Sequence, residues 1–197
     1  AILRRHGAHA TFFLVGECAL AYPDMVRMLH RDGHEIANHT YHHPALSTFS
    51  IADITKEIAE GGAALKSLTG IQPRYFRPPG GDFDERVYAA ATSLGYTMAM
   101  WNIEPRDMSE GIDAATITRR TLAHAGNGGI VLLHIGQQPT LDALPAIITG
   151  LRAQGYQLVT LSTMLESTRP RVVPPTSAPT PPTPPAPNAR RQNSSPP

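Results

Sequence analysis

Two histidines four residues apart, His39 and His43, are the side chains of this sequence best suited to metal chemistry. They follow a short apolar segment, 34–38, and belong to the run His-Thr-Tyr-His-His-Pro. Neutral imidazole is the commonest metal ligand in proteins and suits zinc and similar first-row ions. The spacing alone is weak evidence, because such a pair also arises by chance and a histidine more often lies on a surface or in a satisfied core. The pair is therefore a candidate metal site that needs support from the rest of the chain.

Length and composition exclude several other classes of protein. The 197 residues carry a net charge of +1, so nothing in the composition indicates a nucleic-acid partner. No apolar run approaches the ~18–20 residues that a membrane span needs. The only cysteine, Cys18, excludes an internal disulfide and a cysteine-rich zinc site. We expect one folded domain that acts as a monomer.

The two ends of the sequence differ from its middle. The segment 2–7 has the pattern of a last helical turn closed by a glycine, and no signal peptide is visible, so we expect a fragment of a longer protein. The alternative is a naturally shortened protein. The segment 170–197 holds eleven of the nineteen prolines and is expected to be a disordered tail or linker. The sequence thus predicts a domain over 1–168 and a tail over 169–197.

Apolar strand-like segments alternate with helical ones throughout the predicted domain. Helices are expected at 19–31, 51–68, 84–94, 114–123 and 141–153. The six predicted strands are 10–15, 34–38, 74–77, 96–103, 129–134 and 156–161. Such alternation predicts an α/β fold with a parallel sheet, either an open doubly wound sheet or a barrel.

The residues that could do chemistry stand directly after predicted strands. His39 and His43 follow the second strand, Arg77 ends the third, Asp107 follows the fourth and His134 ends the fifth. Active sites of parallel α/β folds lie at the carboxyl ends of the strands. Because randomly scattered surface groups would rarely fall on one edge, this placement favours the metal-site prediction.

The same residues carry a resemblance to a known family. The motifs are Ala-Thr-Phe-Phe at 10–13, Gly-His-Glu-Ile-Ala-Asn-His-Thr at 33–40, Arg-Pro-Pro with a following glycine at 77–81, Arg-Asp at 106–107 and Leu-Leu-His at 132–134. Their order and spacing over about 10–165 resemble the polysaccharide deacetylases, which are the NodB-homology group or carbohydrate esterase family four. The resemblance implies a distorted, incomplete (β/α) barrel of about six to seven strands. It also implies metal-dependent removal of acetyl groups from an amino-sugar polysaccharide such as peptidoglycan or a chitin-like glycan.

The resemblance assigns roles position by position. His39 and His43 match the metal-ligand histidines, with zinc as the expected ion and cobalt or nickel as alternatives. Arg77 matches the arginine that orients the catalytic-base carboxylate. His134 matches the acidic histidine, and Asp107 matches the aspartate that pairs with it. Two further positions would contact the substrate, and these are Leu132, in the pocket for the acetyl methyl group, and Gly80, where many members carry tyrosine.

One family motif is absent from the sequence. The family's strand ending in Thr-Phe-Asp-Asp-Gly supplies the catalytic base and a third metal ligand, and this chain contains no Asp-Asp pair. The alternative function is therefore a catalytically silent carbohydrate-binding barrel. Simpler roles also stay open for two residues, since Arg77 could form an ordinary salt bridge and Asp107 could cap a helix. The family's usual setting predicts a secreted or wall-associated protein.

Overall fold

The computed structural model of the chain describes residues 1–167, so the predicted tail over 169–197 lies outside the described residues. Four strands form one sheet, and they are β1 (Thr11–Leu14), β2 (Glu35–Asn38), β3 (Tyr75–Phe76) and β4 (Thr97–Met98). The helices are α1 (Ile2–Arg5), α2 (Gly16–Ala21), α3 (Pro23–Arg31), α4 (Ile51–Thr69), α5 (Glu85–Ser93), α6 (Ala114–Ala123), α7 (Gln138–Ala153) and α8 (Leu161–Ser167). None of the helices in this described part is long and apolar enough to span a bilayer.

The sheet is parallel throughout, with the strands in the order β1-β2-β3-β4. Phe12 of β1 is in register with Ile36 of β2, and Asn38 at the end of β2 is in register with Phe76 of β3. Each connection between neighbouring strands contains at least one helix. The carboxyl ends of β2 and β3 therefore meet at one edge, as the sequence predicts for the site residues.

Helix α4 is the longest element and supports that edge. Its N-cap Ser50 accepts a hydrogen bond from the Asp53 N–H, and it ends at Gly70, whose φ of 75° is a left-handed conformation that glycine adopts without strain. Ile54 and Ile58 are fully buried against Phe76 in the core between the helices and the sheet. The helix is thus fixed to the strands that carry the site.

The structure confirms the α/β class but contains fewer paired strands than predicted. Of the predicted strand 96–103, only Thr97–Met98 joins the sheet, while Ile103 forms an isolated parallel bridge with Val131. The predicted strand 156–161 forms no ladder, and its last residue begins α8. A cavity of about 540 Å³ is lined by Thr11 and Phe13 of β1 and by residues of 156–161, and only the Leu161 N–H of that described segment donates to a β1 side chain, the Thr11 hydroxyl, at 2.9 Å. Sheet pairing therefore does not continue around a closed ring within residues 1–167.

The predicted helix 19–31 is two helices, α2 and α3. Pro23 occupies the first turn of α3, where the missing N–H costs no helical hydrogen bond. The same proline cannot continue α2, so the chain turns at Tyr22. The other predicted helices match α4 to α7 to within a few residues at each end.

Candidate functional site

His39 lies directly after β2, and its ring is oriented by a neighbouring strand. Its Nδ1 lies 2.7 Å from the backbone carbonyl oxygen of Arg77. Because a carbonyl oxygen only accepts, Nδ1 carries the proton and Nε2 keeps a free lone pair. Burial, the largest influence, lowers the pKa of His39 to about 4, so the ring is neutral near pH 7. A neutral imidazole with a directed Nε2 is the form that binds a metal.

His43 faces His39 across a tight turn. The two ring centroids are 4.9 Å apart and the rings are nearly perpendicular. Two residues of this turn that are not glycine have left-handed backbone, with φ of 69° at Thr40 and 66° at His43. The Thr40 hydroxyl accepts from the His43 N–H at 3.0 Å, and it donates to the His39 carbonyl. We call residues 39–43 the histidine loop.

Arg77 follows β3 and is a buried cation, only 7% exposed. Its Nε donates to the Ala99 carbonyl at 2.9 Å and its Nη2 to the Met100 carbonyl at 3.1 Å. The guanidinium carbon also lies 4.0 Å from the centre of the Phe13 ring. Burial lowers the pKa of Arg77 to about 10, so it stays charged near pH 7. Within residues 1–167 it pairs with no carboxylate, so the simple salt-bridge alternative is wrong for this part of the chain.

Asp107 and His134 form a hydrogen-bonded pair in which only the carboxylate is buried. Asp107 Oδ1 lies 2.8 Å from His134 Nδ1, and Oδ2 accepts from the His134 N–H at 2.7 Å and from the Thr140 hydroxyl at 2.8 Å. The Asp107 side chain is 1% exposed, whereas that of His134 is 43% exposed. Asp107 thus does not serve as a helix cap.

Each partner of this pair favours the charged form of the other. The hydrogen bond that His134 Nδ1 donates to Asp107 is the largest influence on His134 and raises its pKa. Burial alone would raise the pKa of Asp107, but the hydrogen bonds from His134 and Thr140 outweigh it and lower that pKa. With Nδ1 donating to Asp107, the proton that His134 can give to another molecule is on Nε2.

The two remaining predicted residues lie near this edge. The backbone N–H of Leu132 donates to the Ile103 carbonyl at 2.9 Å, so Leu132 lies on the bridged segment. It precedes His134 by two residues. Gly80 is exposed, with φ of 62° and no atom within 4 Å of the place where a Cβ would be.

The arrangement brings both histidine groups to the same edge. The segments that lead to Asp107 and His134 share a parallel bridge, Ile103 with Val131, and the first of them continues the chain from β4. These segments therefore run in the same direction as the strands that precede His39 and Arg77, and the residues that follow them fall on the same edge. Residues 1–167 contain no cluster of three or more histidine, cysteine or carboxylate side chains arranged for a metal ion. The donor set is therefore two imidazoles, which fits a divalent ion only as part of a larger ligand set.

The sequence predicts no role for three side chains that support the site. Glu57 of α4 is hydrogen-bonded to the histidine loop, Asn38 joins that loop to α4, and Thr140 of α7 bonds to Asp107. Glu57 alone left a detectable signal, because a carboxylate at this position falls beside Ile54 and Ile58 on the apolar face of the predicted helix.

Comparison with known proteins identifies the class to which this fold and site belong. The model of the polysaccharide deacetylase family matches residues 1–99, and the chain belongs to that family. A peptidoglycan-N-acetylglucosamine deacetylase of Bacillus cereus is 34% identical over 173 residues, which cover 86% of this chain and 62% of the relative. The chain thus spans less than two thirds of the length of this relative.

Solved structures show the same architecture. The peptidoglycan deacetylase PdaC of Bacillus subtilis has a TM-score of 0.77 at 31% identity, covering 83% of this chain and 79% of that one. A pseudoenzyme of carbohydrate esterase family 4 from Bacillus anthracis has a TM-score of 0.79 at 29% identity, covering 83% and 58%. The distorted barrel class expected from the resemblance is confirmed. Since an enzyme and a pseudoenzyme share it, the fold alone does not decide whether a member is catalytic.

Proposed function

We propose that this chain is the catalytic domain, or part of it, of a metal-dependent deacetylase that hydrolyses acetyl groups on an amino-sugar polysaccharide. The observation that carries the proposal is the Asp107–His134 pair at the same edge as the His39–His43 pair. A histidine that can donate a proton, beside a pair of imidazoles that can bind a metal, suits hydrolysis of an amide. The names of the relatives favour peptidoglycan as the substrate, which would place the protein at the cell wall.

His39 and His43 would hold the metal, with zinc as the expected ion. The metal, when bound, would supply Lewis-acid polarisation of the acetyl carbonyl and acidify the attacking water. The fit rests on the neutral state of His39 and on its Nδ1 bond to the Arg77 carbonyl, which leaves Nε2 as the donor. Deprotonated ligand nitrogen is what metal binding requires near neutral pH.

His134 would act as the general acid. Its Nε2 proton would pass to the nitrogen of the amino sugar as the carbon–nitrogen bond breaks, because an amine leaves more readily than an amide anion. Asp107 holds the ring in the tautomer that has this proton and stabilises the imidazolium. The raised pKa of His134 keeps a larger fraction protonated near pH 7 than a free histidine would have.

Arg77, Leu132 and Gly80 would complete the substrate edge. The buried charge of Arg77 suits a carboxylate partner that acts as the base, in line with the family role. Leu132 would contact the acetyl methyl group with its apolar side chain. The exposed turn at Gly80 would offer backbone N–H groups to the developing oxyanion.

A second candidate function is supported by one observation. Within residues 1–167 the two imidazoles have no third protein ligand, and a structural neighbour is a pseudoenzyme. A silent barrel that binds glycan without hydrolysing it would have the same fold. The two candidates differ in one measurable property, which is acetate release.

The test is acetate release from acetylated chito-oligosaccharide and from peptidoglycan, with zinc added to the natural protein that contains this sequence. We expect release that is lost in the double variant His39→Ala/His43→Ala. The variant His124→Ala is the matched control, because His124 is an exposed histidine at the end of α6. Glycan binding without acetate release would establish the silent barrel, and release that survives the double change would refute the ligand assignment.

A further inference from the structure

Glu57 is a buried carboxylate on the inner face of α4, only 8% exposed. A buried carboxylate is costly unless hydrogen bonds compensate its lost hydration. Within residues 1–167, the hydrogen bonds that compensate it all come from the histidine loop. Oε2 accepts from the Tyr41 N–H at 3.2 Å and from the His42 N–H at 2.9 Å, and Oε1 lies 2.7 Å from His42 Nδ1.

These contacts fall between the two proposed metal ligands. The histidine loop contains left-handed backbone at Thr40 and at His43, a conformation that is unfavourable for residues with a Cβ. Such strain persists only where the surroundings fix the chain firmly. The carboxylate of Glu57 accepts hydrogen bonds from Tyr41 and His42. These two residues lie between Thr40 and His43, the two residues with left-handed backbone.

Other contacts from outside the loop hold its first part, whereas the His43 N–H at its end donates to the Thr40 hydroxyl within the loop. The Asn38 amide bridges the Ile58 carbonyl at 2.8 Å and the Thr40 N–H at 3.1 Å. The N–H groups that open α2, at Gly16 and Glu17, donate to the Thr40 and Tyr41 carbonyls at 2.9 and 3.0 Å. In the described residues, the backbone N–H next to His43 is held by Glu57.

We propose that Glu57 is a positioning residue that holds the histidine loop in the geometry in which His43 faces His39. The proposal rests on the proposed function, because it assumes that these two rings bind the metal. Glu57 does not touch the metal, the substrate or the reacting atoms in this scheme. Outer-shell partners of this kind typically change metal affinity by ~10–100-fold when they are removed.

The experiment is a zinc titration of the natural protein that contains this sequence against a chromophoric chelator, with the variants Glu57→Ala and Glu57→Gln. We expect Glu57→Ala to bind zinc ~10–100-fold more weakly. Glu57→Gln should restore the affinity, because its amide oxygen can accept from both backbone N–H groups and its NH₂ can donate to neutral His42 Nδ1. Amide exchange at Tyr41 and His42 should be faster in Glu57→Ala and near the parent rate in Glu57→Gln.

Two controls separate this role from a general loss of stability. Glu60→Ala removes an exposed carboxylate one turn along α4, whose nearest cation is Lys56 at 4.0 Å, and should leave zinc affinity unchanged. Ile117→Val weakens the separate core between α6 and α7 and should lower the melting temperature without changing zinc affinity.

The outcomes are distinguishable. The proposed metal site fails if the parent protein binds no zinc, or if the double variant His39→Ala/His43→Ala binds zinc as well as the parent does. The role of Glu57 then fails with it. If the parent binds zinc at that pair and Glu57→Ala binds it equally well, the role of Glu57 alone is overturned. Loss of affinity in Ile117→Val, or no rescue in a folded Glu57→Gln, would also overturn it.

Discussion

The two halves of the candidate site are built in different ways. The half that holds His39 and His43 follows a strand paired on both sides and is packed on α4. The half that holds Asp107 and His134 follows two segments that share one isolated bridge, Ile103 with Val131. Strand pairing and helix packing position the first half together with the side chain of Glu57, whereas the second half depends mainly on the hydrogen bonds of the Asp107 side chain.

The difference shows where each half is sensitive to substitution. In the second half, a single carboxylate makes the contacts to the His134 ring, to its backbone and to Thr140. In the first half, contacts from β3, α2 and α4 all hold the histidine loop, and Glu57 is the side chain that holds its centre. We therefore expect changes in the second half to affect acetate release most, and changes in the first half, at Glu57 or in the packing on α4, to affect zinc affinity.

The largest expected effect is on the acid itself. His134→Ala should lower acetate release by about 10²–10⁴-fold, because the leaving amine loses its proton donor. Zinc binding should stay intact, since the ring of His134 is not in the histidine loop. Parallel acetate-release and zinc assays test both statements, and loss of zinc in this variant would show that the two halves are not separate.

The next effect concerns the charge that holds the acid. In Asp107→Asn the amide NH₂ would face His134 Nδ1 and disfavour its proton, so the pKa of His134 should fall. The alkaline limb of the pH–rate profile should then move to lower pH, and unfolding should need about 1–3 kcal/mol less free energy. Asp113→Asn, which changes an exposed N-cap on α6, is the control and should leave the profile unmoved. An unmoved limb in Asp107→Asn would mean that another group sets it.

The pH dependence of stability has a definite sign for each member of the pair. The folded state raises the pKa of His134, so its contribution is complete below the ordinary value of 6.5 and is lost as pH rises through the folded value. The folded state lowers the pKa of Asp107, so its contribution is present above 3.8 and is lost as pH falls through the lower folded value. Asp107→Asn should remove both dependences in denaturant unfolding at different pH.

The smallest effect is expected from the packing of the first half. A Cβ at Gly61 of α4 would lie 2.6 Å from the Asn38 Oδ1 and from the Thr40 backbone, so Gly61→Ala must push the histidine loop away from the helix. Overpacking of this kind costs about 1–3 kcal/mol. Zinc affinity should fall while the pKa of His134, followed by its ring proton signals, stays unchanged. A shifted His134 signal would contradict the independence of the two halves.

The sequence predicts the site better than it predicts the sheet. Alternation of strands and helices is enough to place His39, Arg77 and His134 at one edge, because every parallel strand ends on the same side. It does not predict which segments hydrogen-bond. The segment 129–134 looks like a strand by composition, but in the structure it makes one bridge beside a cavity.

The contacts of Glu57 and Thr140 could not be predicted from the sequence, and the reason is a different one. Glu57 meets the histidine loop from 15 or 16 residues away, and Thr140 meets Asp107 from 33 residues away. Such pairings depend on how the helices dock, which periodicity does not specify. The buried position of Glu57 on an apolar helix face was predictable, but its partner was not.

The hydrogen bond between His39 Nδ1 and the Arg77 carbonyl joins residues 38 positions apart. A short peptide that contains only the histidine loop would have both imidazoles at the same spacing but could not form this bond. In such a peptide, the proton of each ring exchanges freely between its two nitrogens. The folded chain fixes the proton of His39 on Nδ1, so Nε2 is the nitrogen that remains to bind a metal. The local sequence supplies the two histidines and their spacing, and the fold supplies the orientation of the His39 ring.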